Sequence, residues 1–244
     1  MQECIHGLEV PRCDLCYPKA QPEKPVVARR TAAPRSQRVA GVSTTRKSID
    51  PAQQRVYHVT HISNLAPILD TYELRADATP VIDVSTPLTR ELRATAEVAP
   101  HRSVADHVPF YLAPTAAVWD ELRRGAEDET KWSAAARASA SVDFIVLVST
   151  VAGLGADAIV TDGDAAGSVT RFSTGDEITR ALTRLHDTEA IDVAEVLAPA
   201  VVSFEAIQLI GVANDRVRDR VRELIDGGSP VKVAVYPPWF QVVD

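Results

Sequence analysis

The sequence predicts an α+β fold, and three observations carry that expectation. Seven stretches rich in β-branched and aromatic residues, four to seven residues long, are interspersed with short amphipathic windows. Their order lacks the even strand-helix-strand spacing of a doubly wound parallel sheet, and no GxGxxG string follows a strand. With 244 residues, 45% hydrophobic and 24% charged, and a mean hydropathy of −0.05, the chain can bury a core without covalent staples.

Each element has its own local signal. Residues 56–60 alternate as a strand, and 64–74 (NLAPILDTYEL) follow as a short amphipathic helix. A second helix is expected at 87–97 and a strand at 108–112. Thr115 caps an apolar-periodic run over 115–124, which predicts a third helix. Strand signals continue at 144–149, 158–161, 194–198, 206–212 and 231–235. Before the last of these, 217–225 follows Asn214 and Asp215 and stops at Gly227 and Gly228, a usual helix end.

Charge is spread unevenly. A net charge of −7 excludes a protein that coats nucleic acid through bulk charge, so any such contact must come from a local patch. Residues 1–50 carry nine Lys/Arg against five Asp/Glu, whereas 51–244 carry 17 against 28. Residues 20–50 are rich in Pro, Ala, Ser, Thr and Arg without apolar periodicity, and read as a disordered basic linker before a domain spanning 51–244. That linker is either a plain tether or an arm that attracts phosphate. No run approaches the ~20 apolar residues of a membrane helix, and MQECIHGLEV lacks a secretion-signal pattern, so a cytoplasmic protein without a membrane partner is expected.

All three cysteines lie in CIHGLEVPRCDLCYP, too few and too local for a disulfide framework. Cys4, His6, Cys13 and Cys16 supply three thiolates and an imidazole, the donor set of a structural zinc tetrahedron, so a zinc knuckle is expected over residues 1–19. Such a site leaves no coordination position open for catalysis. A bare reduced tail and a redox CxxC are the alternatives.

Three further groups carry candidate chemistry. YHVTHISNL places His58 and Thr60 on one face of a strand and His61 on the other, where they either line a cleft or simply pack. Glu195, flanked by Val193, Ala194, Val196 and Leu197, either faces outward or is buried against a partner or ligand hydroxyl that offsets its desolvation. Arg90 and Arg93, at i and i+3, either grip a pyrophosphate through their forks or form a solvated helix face.

Taken in order, several strings resemble the DarT family of DNA ADP-ribosyltransferases, the toxins of DarT–DarG toxin–antitoxin pairs. YHVTHISNLAPIL resembles the family's opening strand and helix, and VADHVPFYLAP (104–114) its most recognisable string. FIVLVSTVAGL, VTDGDAA and TRF follow over 144–172, then AEVLAPAVVSFEAIQLIGV over 194–212 and VKVAVYPPWF near the end. The resemblance covers nearly all of 55–244.

It implies an ADP-ribosyltransferase core of two packed antiparallel-rich sheets with flanking helices, and NAD as co-substrate in the cleft between them. Glu195 corresponds to the catalytic acid, and Arg93 to the arginine that orients NAD and the attacking base, with Arg90 as the fallback. His58, Val59 and Thr60 match the strand that holds the nicotinamide side of NAD. The implied acceptor is a thymine or guanine base in single-stranded DNA, and the implied partner is a macrodomain-type antitoxin. An RNA or protein acceptor, or a silent nucleotide-binding relative, are the rival readings. A loop at 174–192, with Arg180, Arg184 and His186, takes the place that reads the acceptor, and Trp119 is either a stacking surface or a buried helix residue.

Overall fold

The structure is a computed structural model that describes residues 49–225 and 230–242. Strand β1 (Arg55–His61) leads through a 3-10 turn into helix α1 (Leu65–Thr71) and strand β2 (Glu73–Arg75). Then come α2 (Pro87–Thr95), β3 (Glu97–Ala99), β4 (Arg102–Ser103), β5 (Val108–Tyr111), α3 (Ala117–Arg123), α4 (Ala134–Ala138) and β6 (Phe144–Thr150). β7 (Ile159–Thr161), β8 (Phe172–Ser173), α5 (Glu177–Asp187), β9 (Glu195–Ala198), β10 (Val201–Ser203), β11 (Leu209–Val212), α6 (Asp215–Ile225) and β12 (Lys232–Val235) follow.

Eight strands form one sheet in the order β12-β11-β6-β1-β5-β9-β7-β8, antiparallel throughout except for the β11–β12 pair. This differs from the expected pair of packed sheets, and the reason lies at one seam. β1 and β6 pair over seven positions, from Arg55↔Thr150 to His61↔Phe144, whereas β1 and β5 meet only at Tyr57↔Tyr111. The two four-stranded halves are thus joined by one rung, and past it β1 is released from β5.

Alternation along the strands sets up two faces. On one face, Leu65 of α1, Leu182 and Leu185 of α5 and Val221 of α6 pack against Val56, Phe110, Leu147, Val196 and Ile210. On the other, Trp119, Trp132 and Phe240 cover Phe144, Val146 and Val148 of the first half, and Val104 and Ala165 cover Ile159 and Leu197 of the second. Gly211 is required here, because a Cβ at that position would lie 2.5 Å from the ring of Trp239. Trp119 is buried, and its indole N–H donates to the Trp239 carbonyl at 2.6 Å, which makes it a core residue rather than a stacking surface.

The expected helix at 64–74 is shorter in the structure, because Tyr72 adopts a left-handed conformation (φ 57°) that ends α1 and turns the chain into β2. The 206–212 strand starts later, after a 3-10 turn at Phe204–Ala206. The 174–192 segment is not an open loop: α5 fills most of it, with Ile178, Ala181, Leu182 and Leu185 buried at helical spacing. Cys4, His6, Cys13 and Cys16 and nearly all of the basic linker lie outside the described residues. Among the described residues, no helix is long and apolar enough to cross a membrane.

Candidate active site

β9 opens at Glu195, whose backbone N–H donates to the Thr161 hydroxyl of the neighbouring β7 at 2.8 Å. Pairing of Tyr111↔Glu195 on the other edge fixes the strand from both sides. Val196 enters the main core, so the pleat sends the Glu195 side chain to the opposite face from α5. There it is only 2% exposed. Its Oε1 accepts the Ala165 N–H at 2.9 Å, and Arg93 Nη1 lies 3.3 and 3.1 Å from the two carboxylate oxygens. Burial of a carboxylate this deep is tolerable because a peptide dipole and a cation both compensate it.

Arg93 comes from the last turn of α2, 102 residues earlier in the chain. Thr86 caps that helix through its hydroxyl to the Thr89 N–H, with Pro87 in the first turn. No residue of α2 is buried, and the helix is fixed instead by polar bonds: the Thr86 and Thr89 hydroxyls donate to the Thr130 and Lys131 carbonyls. Burial works against the charge of Arg93, but Glu195 and the surrounding acidic groups outweigh that penalty and raise its pKa. Its Nη2 is buried without a hydrogen-bond partner, which leaves a donor for a ligand. Arg90, the fallback, lines the same cavity but is not bonded to Glu195: it pairs with Asp83 and donates to the Ser85 carbonyl at 3.3 Å.

His58, Val59 and Thr60 share a cavity of about 790 Å³ with Arg93 and Glu195. His58 Nδ1 lies 2.8 Å from the Pro109 carbonyl, so it carries the proton and leaves Nε2 as an acceptor. Burial lowers the His58 pKa, only partly opposed by that bond, and keeps the ring neutral. Thr60 Oγ1 accepts an N–H from Asn64 at 3.1 Å.

Two further positions beside the carboxylate were not singled out by sequence reasoning. Tyr111 lines the same cavity beside Glu195, and burial, followed by the Glu195 charge, raises its pKa and holds the phenol protonated. Its signal was the alternation in VPFYLAP, which puts Phe110 in the core and Tyr111 on the other face. The second is the turn after β7, where Ala165 meets Glu195 and Asp164 and Ala166 line the cavity. This turn, not α5, stands beside the carboxylate; the exposed Arg180, Arg184 and His186 lie on a helix whose core contacts are on the opposite face.

A buried carboxylate clamped by an arginine stands on the wall of a nucleotide-sized cavity opened where a sheet loses its pairing, an arrangement suited to stabilising positive charge on a sugar as its glycosidic bond breaks. Comparison with known proteins makes the class specific. The sequence model of DarT, described as ssDNA thymidine ADP-ribosyltransferase, matches residues 57–241, and the chain belongs to the DarT family. A DNA ADP-ribosyl transferase of Mycobacterium tuberculosis is 28% identical over 204 residues, covering 75% of this chain and 86% of that protein. Thermus sp. 2.9 DarT with ADP-ribosylated ssDNA superposes with a TM-score of 0.67 at 21% identity, covering 80% of this chain and 99% of the other. The same Thermus protein with NAD+ gives 0.62 at 23% identity, covering 80% and 100%. Thermosipho africanus DarTG with ADP-ribose gives 0.61 at 20% identity, covering 77% of this chain and 51% of that one.

Proposed function

We propose that this chain transfers ADP-ribose from NAD to a thymine base of single-stranded DNA, with Glu195 and Arg93 as catalytic residues. The observation that carries the reading is the Arg93–Glu195 pair on the cavity wall of a DarT family member. The family's description favours thymine over guanine as the acceptor. A base inside a duplex cannot reach a cleft of this kind, which accords with a single-stranded substrate.

His58, Val59 and Thr60 hold the nicotinamide side of NAD, with His58 Nε2 as an acceptor and the Thr60 hydroxyl as a donor. The bond between ribose C1′ and the nicotinamide nitrogen breaks, and its electron pair leaves with nicotinamide. Positive charge then spreads over the ribose, and the Glu195 carboxylate stabilises it while accepting a ribose hydroxyl. A ring nitrogen of the base forms the new bond to C1′, and its proton passes to Glu195 and on to water. Arg93 fixes the carboxylate through Nη1 and offers Nη2 to a carbonyl of the incoming base, which keeps the nucleophile in line. Intact-mass analysis of oligonucleotides of each base composition, incubated with NAD and the protein, tests this. One added ADP-ribose on thymine-containing strands is expected; a gain on guanine alone would move the acceptor, and no gain on any strand would overturn the reading.

The proposal extends to the whole chain. Residues 1–19 form a zinc knuckle through Cys4, His6, Cys13 and Cys16, whose donor chemistry suits a closed structural site, and 20–50 form a basic linker to the 51–244 transferase domain. A zinc-to-protein ratio near one in gently purified protein is expected, and a ratio near zero dismisses the knuckle. The chain acts in the cytoplasm as a growth-inhibiting toxin, countered by a macrodomain-type antitoxin that removes the modification; the likeness to DarTG supports such a partner. Induced expression should arrest growth in a Glu195-dependent manner.

A further inference from the structure

Between β2 and α2, residues 76–86 cross the cavity without forming a strand or helix, and nine residues of that stretch line it. Residues 78–81 at its crown are exposed. The segment is held at its ends by the Ala76 N–H to the Ala200 carbonyl (2.8 Å) and by Ser133, whose hydroxyl and N–H reach the Asp83 and Val84 carbonyls at 2.6 and 3.0 Å. At its centre, one side chain grips it. Asn64, 7% exposed in the turn after β1, donates through Nδ2 to the Ile82 carbonyl and accepts the Ile82 N–H through Oδ1, both at 2.9 Å. This amide reproduces the two bonds a strand neighbour would make. The same Nδ2 also donates to Thr60 Oγ1 at 3.1 Å, so the Thr60 hydroxyl has its acceptor side occupied and its own hydrogen directed elsewhere.

We propose that Asn64 is a positioning residue for NAD: one amide locks the roof of the cavity at Ile82 to its floor at Thr60, and sets both the closure of 76–86 over the dinucleotide and the direction of the Thr60 hydroxyl. The inference rests on the NAD-dependent reading above. Its chemistry is confined to the co-substrate, because Asn64 makes no bond to Arg93 or Glu195. Loss of a buried bidentate amide weakens the competent closed state and therefore NAD binding, while the carboxylate that acts in the transition state stays in place.

The test compares wild type with Asn64→Ala, Asn64→Asp and Ser133→Ala by NAD titration calorimetry, amide exchange across 77–85, and steady-state transfer to single-stranded DNA. Asn64→Asp keeps the shape but removes both N–H donors and sets a carboxylate against the Ile82 carbonyl. Both Asn64 variants should weaken NAD binding by about tenfold, raise KM for NAD to match, change kcat by less than about threefold, and leave KM for DNA unaltered. Exchange at 77–85 should quicken in both, and Ser133→Ala should give a smaller change in the same direction, without touching Thr60. A loss of kcat at unchanged NAD affinity, or an Asn64→Asp variant that behaves as wild type, overturns the proposal. Thermal melts identify a variant that fails to fold, in which case Ser133→Ala carries the comparison, and unaltered NAD affinity with unaltered exchange there refutes the latch. If wild type binds NAD but modifies no DNA, the transferase reading fails, whereas calorimetry and exchange still decide the role of Asn64. If wild type does not bind NAD, both fall.

Discussion

The two walls of the cavity are built on opposite principles. Glu195 stands on a strand whose next three residues are fully buried, bonded on both edges and backed by α5. Arg93 stands on a helix with no buried residue, next to a roof fastened by side-chain hydrogen bonds. The carboxylate wall is therefore fixed by the same packing that stabilises the fold, whereas the arginine wall is fixed by polar contacts that water can replace. In a transferase this division of labour is useful. The group that meets developing charge must be preorganised, while the side that admits two substrates must move.

The largest expected effect comes from the fixed wall. Glu195→Gln should lower transfer by roughly 10²- to 10³-fold or more, read by intact mass against time, while keeping the Ala165 N–H bond. Arg93→Ala should cost about 100-fold in transfer and should destabilise the protein by roughly 3 kcal/mol, more than Glu195→Gln does, because the carboxylate it leaves unpaired is 3% exposed whereas the guanidinium left unpaired by Glu195→Gln is 20% exposed. Equal melting temperatures for the two variants would break the contrast between the walls. Arg90→Ala, which loosens Asp83 in the roof without touching the carboxylate, should raise KM for NAD by only a few-fold, about 1 kcal/mol or less for a largely exposed pair.

The smallest effect is one of pH. Burial lowers the pKa of His58, so between its folded value and the ordinary 6.5 the unfolded chain binds a proton that the folded chain does not. Its contribution to stability is complete above pH 6.5 and falls as pH drops through that window. Thermal melts from pH 7.5 to 5 should show this loss, and His58→Gln should flatten it. His61 and His107 shift in the same direction, through burial in each case, so part of the slope should persist in the variant.

The sequence was most legible where chemistry follows the strand period. The 56–60, 108–112, 144–149 and 194–198 signals coincide with β1, β5, β6 and β9 within two residues, because apolar alternation is a local property. Which of Arg90 and Arg93 meets Glu195 was beyond local reasoning: that contact spans 102 residues. Asn64 was equally hidden, since an asparagine after a strand reads as a helix start, and its partner is 18 residues away in a segment without periodicity. α5 is the opposite case. Ile178, Ala181, Leu182 and Leu185 carry a plain helical period, and treating 174–192 as an acceptor loop set that pattern aside. The sheet seam was invisible for a different reason, because no residue pattern announces where two strands stop pairing.

The strand order has one more consequence. β9 lies between β5 and β7, both of which leave the ribosome before it. The second half of the sheet therefore keeps an open slot until residues 195–198 have been made, and the carboxylate arrives with the strand that fills the slot. At about 5–20 residues per second, translation spends several seconds on a nascent chain that already carries Arg93 and the β1 floor but lacks Glu195. For a protein proposed to arrest its own host, activity is withheld from every product truncated before β9.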